Sequence, residues 1–141
     1  MKNVILCGKE ISKTYKQNGR ETQILRNIDV ELYEGDFTVI MGSSGAGKST
    51  LLYALSGMDG ITGGSVIFKG QEISKLSEKK MAQLRAKEFG FVFQQTHLVS
   101  NLTLFENVAV AGFVAKAGST REIQEKTDML LLKMHAGEAK D

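Results

Sequence analysis

Proline and tryptophan are missing from this chain of 141 residues, and cysteine occurs once. Without proline, breaks between elements must come from glycines and capping residues. A lone cysteine, Cys7, excludes an intrachain disulfide and leaves no cysteine-built zinc site. It reads instead as a small buried apolar side chain. Long apolar runs are also lacking: Val108 to Ala115 is the longest candidate, far below the ~20 residues that span a bilayer. The apolar stretch within Met1 to Lys9 is too short for a signal peptide. Nor is there an excess of one charge, with 18 Lys and Arg against 16 Asp and Glu. A net charge of +2 gives no basic face for nucleic acid. What remains, 42% hydrophobic and 24% charged, is an ordinary globular composition long enough to bury a core.

The front of the chain alternates like a sheet. Val4 to Tyr15 and Thr22 to Leu32 are expected strands on either side of a polar turn, Lys16 to Arg20. Asp36 to Met41 carries Phe37, Val39, Ile40 and Met41, which predicts a short strand buried on both faces. After a glycine-rich turn, Leu51, Leu52 and Leu55 have helical spacing within Ser49 to Gly57. Lys69-Gly70 then suits a tight hairpin between Ser65 to Phe68 and Gln71 to Ile73. Ser77 is an expected helix cap, with Leu76 and Met81 as a hydrophobic staple and a helix to about Lys87. Phe89 to Phe93 predicts a second buried strand.

Beyond Gln94 the pattern turns helical. Thr103 with Glu106, and Ser119 with Glu122, have the spacing of capping boxes. Ile123, Thr127, Leu130, Leu131 and Met134 share one helical face, and Gly137 is the expected stop. The switch near Gln94 divides the chain into 1–94 and 95–141.

The chemistry concentrates in Gly42-Ser43-Ser44-Gly45-Ala46-Gly47-Lys48-Ser49, a complete G-x-x-x-x-G-K-[ST] loop between an apolar run and a helix. Its glycines let the backbone curl around a phosphate, and the helix behind adds its positive end. Lys48 offers a mobile cation for β- and γ-phosphates. The Ser49 hydroxyl suits Mg²⁺, which prefers oxygen. Thr50 is placed to donate to the α-phosphate. Chance gives the pattern in roughly one chain of this length per few hundred.

Three further features accompany the loop: Tyr15 at the end of an early strand, Gly90-Phe91-Val92-Phe93-Gln94, and Leu102-Thr103-Leu104-Phe105-Glu106-Asn107-Val108. Together with Asn27-Ile28-Asp29-Val30 and Glu34-Gly35-Asp36, they make the whole chain resemble the ATP-binding domains of ABC transporters. The branch it is most similar to serves macrolide export, lipoprotein release and antimicrobial-peptide export. That resemblance implies an α/β fold: a P-loop core of RecA type, an antiparallel β subdomain and the start of a helical subdomain. It assigns 1–94 to the first two and 95–141 to the Q-loop and helical part.

By the same resemblance, Tyr15 stacks on adenine, and Gln94 touches Mg²⁺ and the attacking water while sensing the membrane partner. Gln95 is the alternative register. His97, which could pass for a catalytic base, falls in the loop facing the transmembrane partner; both it and His135 are expected to be solvated. The implied cofactors are ATP and Mg²⁺, and the implied partners a transmembrane permease subunit and a second cassette. The implied location is cytoplasmic, against the inner face of the cell membrane.

The family's serine-glycine-glycine signature, Asp-Glu strand end and switch histidine are not found in these residues. The expectation is therefore nucleotide binding with negligible hydrolysis by this chain. In the family the P-loop strand pairs with strands from later sequence, so its edges are expected to be exposed here, favouring strand exchange or oligomerisation. Two other readings stay open: a nucleotide-binding scaffold that never hydrolyses ATP, and a small-molecule P-loop kinase.

Overall fold

The computed structural model describes residues 2–95 and 97–137. Its centre is an antiparallel sheet in the order β2-β1-β3-β4. Strands β1 (Val4–Gln17) and β2 (Arg20–Tyr33) form a long hairpin. Asn18 and Gly19 turn it with φ of 50° and 74°, the two left-handed residues that a twist-matched two-residue turn requires. Strand β3 (Gly63–Phe68) pairs with the other side of β1. Lys69 and Gly70 then turn, also left-handed, into the short β4 (Gln71–Glu72).

The buried phase of β1 changes partway along. Leu6 and Gly8 face inward, and then Ile11 and Lys13 do, so the parity flips across Lys9 and Glu10. The register against β2 and β3 shifts at the same place, and Glu10 has a φ of 50°. An extra residue in one strand produces this effect. Opposite the bulge, a Cβ on Gly64 would lie 2.4 Å from the carbonyl oxygens of Lys9 and Glu10, so β3 can approach only with glycine there.

Helix α1 (Lys48–Leu55) packs against β1 and β2. The core of this first unit, which runs through Arg85, includes Leu6, Ile11, Leu25, Ala54, Leu55, Val66, Phe68, Ile73 and Met81. Leu76 and Met81, the pair expected to staple the helix start, both line one small cavity ahead of α2 (Glu78–Glu88).

A second compact unit starts at Ala86. It holds α3 (Leu104–Ala115) and α4 (Thr120–Lys133), packed as a helical hairpin. Both capping boxes form as expected. The helices come close at Gly112, where a Cβ would lie 2.8 Å from Ile123 Cγ2. The apolar face of α4 is narrower than its sequence suggested. Ile123, Thr127 and Leu131 are buried, while Leu130 and Met134 are exposed. Nor does Gly137 stop the helix, which ends at Lys133. His135 takes the left-handed position, and Ala136 N–H returns to the Leu131 carbonyl.

Two expected strands do not form. Asp36 to Met41 and Phe89 to Phe93 lie outside every strand among the described residues. Phe37 is 94% exposed, and Val39, Met41 and Val92 are exposed too. A two-faced buried strand needs a neighbour on each edge and a layer on each face. Among the described residues these runs have no strand partner, so their apolar composition does not become a ladder.

Candidate phosphate-binding loop

The loop folds as a turn followed directly by α1. Ala46 N–H donates to the Ser43 carbonyl at 3.3 Å. Gly45 and Gly47 are left-handed, with φ of 78° and 87°. Gly47 caps α1 from that conformation and lies against Ile24 and Leu25 of β2: a Cβ would meet Ile24 Cγ2 at 3.0 Å. Glycine is thus required at Gly47 twice over, for its dihedral and for its closeness to the sheet.

The N-terminus of α1 is kept open to an anion. No side chain caps it and no acidic residue stands in its first turn. Its unpaired N–H groups and positive end are therefore uncompensated by the protein. Lys48 bends back over the loop, donating to the carbonyls of Gly42 at 2.9 Å and Ser43 at 2.7 Å. The cation thus sits over the concavity that the turn encloses. Ser49 is exposed in the first turn beside it. A loop of glycines, an uncapped helix end, a lysine and a hydroxyl form a donor set that fits a polyphosphate with its magnesium.

Tyr15 lies in the same unit, at the far end of β1, and is 41% exposed. Its hydroxyl donates to Asp59 Oδ2 at 2.6 Å. Lys13, only 8% exposed, donates to Asp59 Oδ1 at 2.6 Å and to the Gly60 carbonyl. The Lys13 ammonium also lies 4.7 Å from the centroid of the Tyr15 ring. The hydrogen bond to Asp59, with burial and the Asp59 charge, pushes the Tyr15 phenol above its usual value, while Thr50 pulls the other way. For Asp59, burial is the largest single influence and raises the carboxyl. The Lys13 and Tyr15 bonds, the Lys13 charge and a Gly60 backbone bond together leave it lowered.

The structure thus gathers Tyr15 and the loop from Gly42 to Thr50 in one unit. Gln94 and Gln95 belong to the second unit, exposed in a bend after the Phe89 to Phe93 run. In that run Phe89, Phe91 and Phe93 stack at 6.4 and 5.9 Å. His97 is exposed and sets its edge on the Phe93 ring at 4.9 Å. The residues that sequence reasoning missed are Lys13 and Asp59. The signal for Lys13 was a charge in phase with Ile11, two residues before Tyr15, at an inward-facing strand position.

Fold and loop together define a P-loop nucleotide-binding cassette. The chain belongs to the ABC transporter family, whose model matches residues 25–141. It is 46% identical over 111 residues to the lipoprotein-releasing system ATP-binding protein LolD of Wigglesworthia glossinidia brevipalpis, covering 79% of this chain and 48% of that protein. It is 39% identical over 130 residues to the macrolide export ATP-binding/permease protein MacB of Wolinella succinogenes, covering 92% and 20% respectively. Among solved structures it superposes on the dimeric, ADP- and Pi-bound ATP-binding cassette MJ0796 with a TM-score of 0.83 at 33% identity, over 92% of this chain and 56% of that one. The chain thus spans about half the length of its LolD relative and of that cassette, and a fifth of MacB. Among the described residues no helix is long and apolar enough to cross a membrane.

Proposed function

We propose that this chain binds Mg-ATP at Gly42 to Thr50 as part of the ATP-binding subunit of an ABC transporter. The observation that carries the proposal is the loop itself: left-handed Gly45 and Gly47, and Lys48 turned over the concavity ahead of an uncapped α1. Backbone N–H groups from Ser43 to Gly47 and the Lys48 ammonium hold the phosphates. Ser49 carries the magnesium, and Thr50 donates to the α-phosphate. The exposed face of Tyr15 receives the adenine. Magnesium, when bound, spreads the charge that develops on the transferred phosphoryl group.

In this reading the P-loop core holds the nucleotide, and the Q-loop region meets a transmembrane permease. A second cassette closes over the ATP. The LolD and MacB relatives are named for lipoprotein release and macrolide export, and in this reading the protein lies on the cytoplasmic face through its partner. By themselves the 141 residues bind rather than turn over nucleotide, because no carboxylate assigned to the site stands ready to orient water.

The test is titration with a fluorescent ATP analogue, with Mg²⁺ and with EDTA, beside Lys48→Ala. Saturable, Mg²⁺-dependent binding is expected, weakened at least tenfold (~1.4 kcal/mol) in the variant. Equal affinity in both proteins overturns the site. A steady-state ATPase rate well above background, lost in Lys48→Ala, overturns the non-hydrolysing part of the proposal.

A further inference from the structure

Lys13 poses a problem that packing does not solve. It extends the inward phase of Ile11 on β1, and only 10% of its side chain reaches solvent. Burying an ammonium is costly, and exchanging a buried ion pair for apolar side chains of similar volume is often neutral or stabilising. A methionine there would fill the space. What a methionine would not do is hold a carboxylate and a ring in one orientation.

The geometry does both. Asp59 uses one oxygen for Lys13 and the other for the Tyr15 hydroxyl, each at 2.6 Å. The same ammonium backs one face of the Tyr15 ring. Asp59 is itself anchored, since its N–H donates to the carbonyl of Tyr53 on α1 at 3.2 Å. The segment behind it is stitched to β1. Thr62 N–H and Oγ1 both donate to the Ser12 carbonyl, at 2.8 and 3.0 Å, and Thr14 N–H donates to Thr62 Oγ1 at 3.1 Å. The ring is thereby tied to the helix that opens at the phosphate loop.

We propose that Asp59 and Lys13 are positioning residues: they lock the Tyr15 ring, through its hydroxyl and its rear face, so that its outer face is a fixed platform for a nucleotide base. The inference rests on the nucleotide-binding reading above and adds two residues to it. Stacking on an aromatic side chain needs a particular ring plane. A tyrosine held before binding loses less freedom on binding than a mobile one. Neither Asp59 nor Lys13 belongs to the loop from Gly42 to Thr50, so the lock is expected to act on base recognition alone.

Two probes separate the ends of the ligand: Mg-ATP, and Mg-tripolyphosphate, which has no base. Each is titrated by competition against the fluorescent analogue. Tyr15→Ala is expected to weaken ATP about tenfold or more and to leave tripolyphosphate within about twofold. Tyr15→Phe, which keeps the ring and loses only the hydroxyl, and Asp59→Asn are each expected to weaken ATP about three- to tenfold, again sparing tripolyphosphate. Asp59→Asn leaves Lys13 without its counter-charge. The paired change Lys13→Met with Asp59→Leu keeps the interior neutral and is expected to give the same selective loss. In a Tyr15→Ala background Asp59→Asn should add nothing.

Parallel loss of ATP and tripolyphosphate in the Asp59 and Lys13 variants would make the pair merely structural and overturn the proposal. So would unchanged ATP affinity in those variants while Tyr15→Ala is weakened. If Tyr15→Ala itself leaves the ratio of the two affinities unaltered, base stacking on Tyr15 fails, and the positioning role fails with it. A wild-type chain that binds neither probe overturns the nucleotide reading as a whole.

Discussion

Two kinds of apolar segment meet different fates in this molecule. The strands of the β1–β2 hairpin are laddered along most of their length, while Asp36 to Met41 and Phe89 to Phe93 are no less apolar and form no strand. The difference lies in where the partner comes from. A two-residue turn at Asn18-Gly19 delivers β2 to β1, and a second at Lys69-Gly70 delivers β4 to β3. Local closure needs little loop entropy. A parallel strand has no such neighbour and depends on pairings carried across long crossovers. Apolar composition therefore states that a segment is to be covered, and says nothing of what covers it.

That contrast can be tested by substitution. Ile11 is fully buried, and Ile11→Ala should cost about 2–5 kcal/mol, read as a lower urea midpoint with an unchanged slope. The helical hairpin should be intermediate. Thr103→Ala and Ser119→Ala each remove one half of a capping box and should cost about 1 kcal/mol, read as lost helical ellipticity on heating. Acid should reach the same feature without mutation. Hydrogen bonds from the Ser119 hydroxyl and N–H hold the Glu122 carboxyl below its ordinary value. A depressed carboxyl contributes stability above its unfolded value of about 4.3 that is lost as pH falls through the lower folded value. Helicity around Ser119 should thus decline in that acid window, and earlier in pH once Ser119 is alanine. The smallest effect is expected at Phe37, where Phe37→Ala should change stability by no more than about 0.5 kcal/mol. A cost matching that of Ile11→Ala would show the run to be packed after all and break the comparison.

The parts of the fold most legible in the sequence were those whose partners lie close by in the chain. The hairpin turns, both capping boxes, the Leu76 and Met81 pair and the helix after Lys48 all depend on residues within a few positions of each other. For Asp36 to Met41, composition is the only guide to a pairing that is not local, and composition points to a strand that does not form. Gly137 looks like the helix stop because glycine is the usual left-handed residue, whereas His135 takes that conformation. For the site, the glycines, Lys48 and Ser49 announce themselves through fixed spacing. Asp59 carries no such mark. Forty-six residues separate it from Lys13, and only folding brings the two together.

The bulge at Lys9 and Glu10 has a consequence for evolution as well as for packing. A strand works as a ruler with two sides, and one inserted residue swaps the side that every later residue shows. Before the bulge the even-numbered residues face the core; after it Ile11 and Lys13 do, and the Tyr15 ring lies against the Lys13 ammonium. Deleting the extra residue would restore a regular strand with Ile11 and Lys13 still inward, whereas straightening the bulge at full length would turn both outward. One substitution that straightens it would then take the Lys13 ammonium out of the core and away from the Tyr15 ring. The bulge thereby sets which side chains of β1 reach the core behind Tyr15, from a distance of several residues.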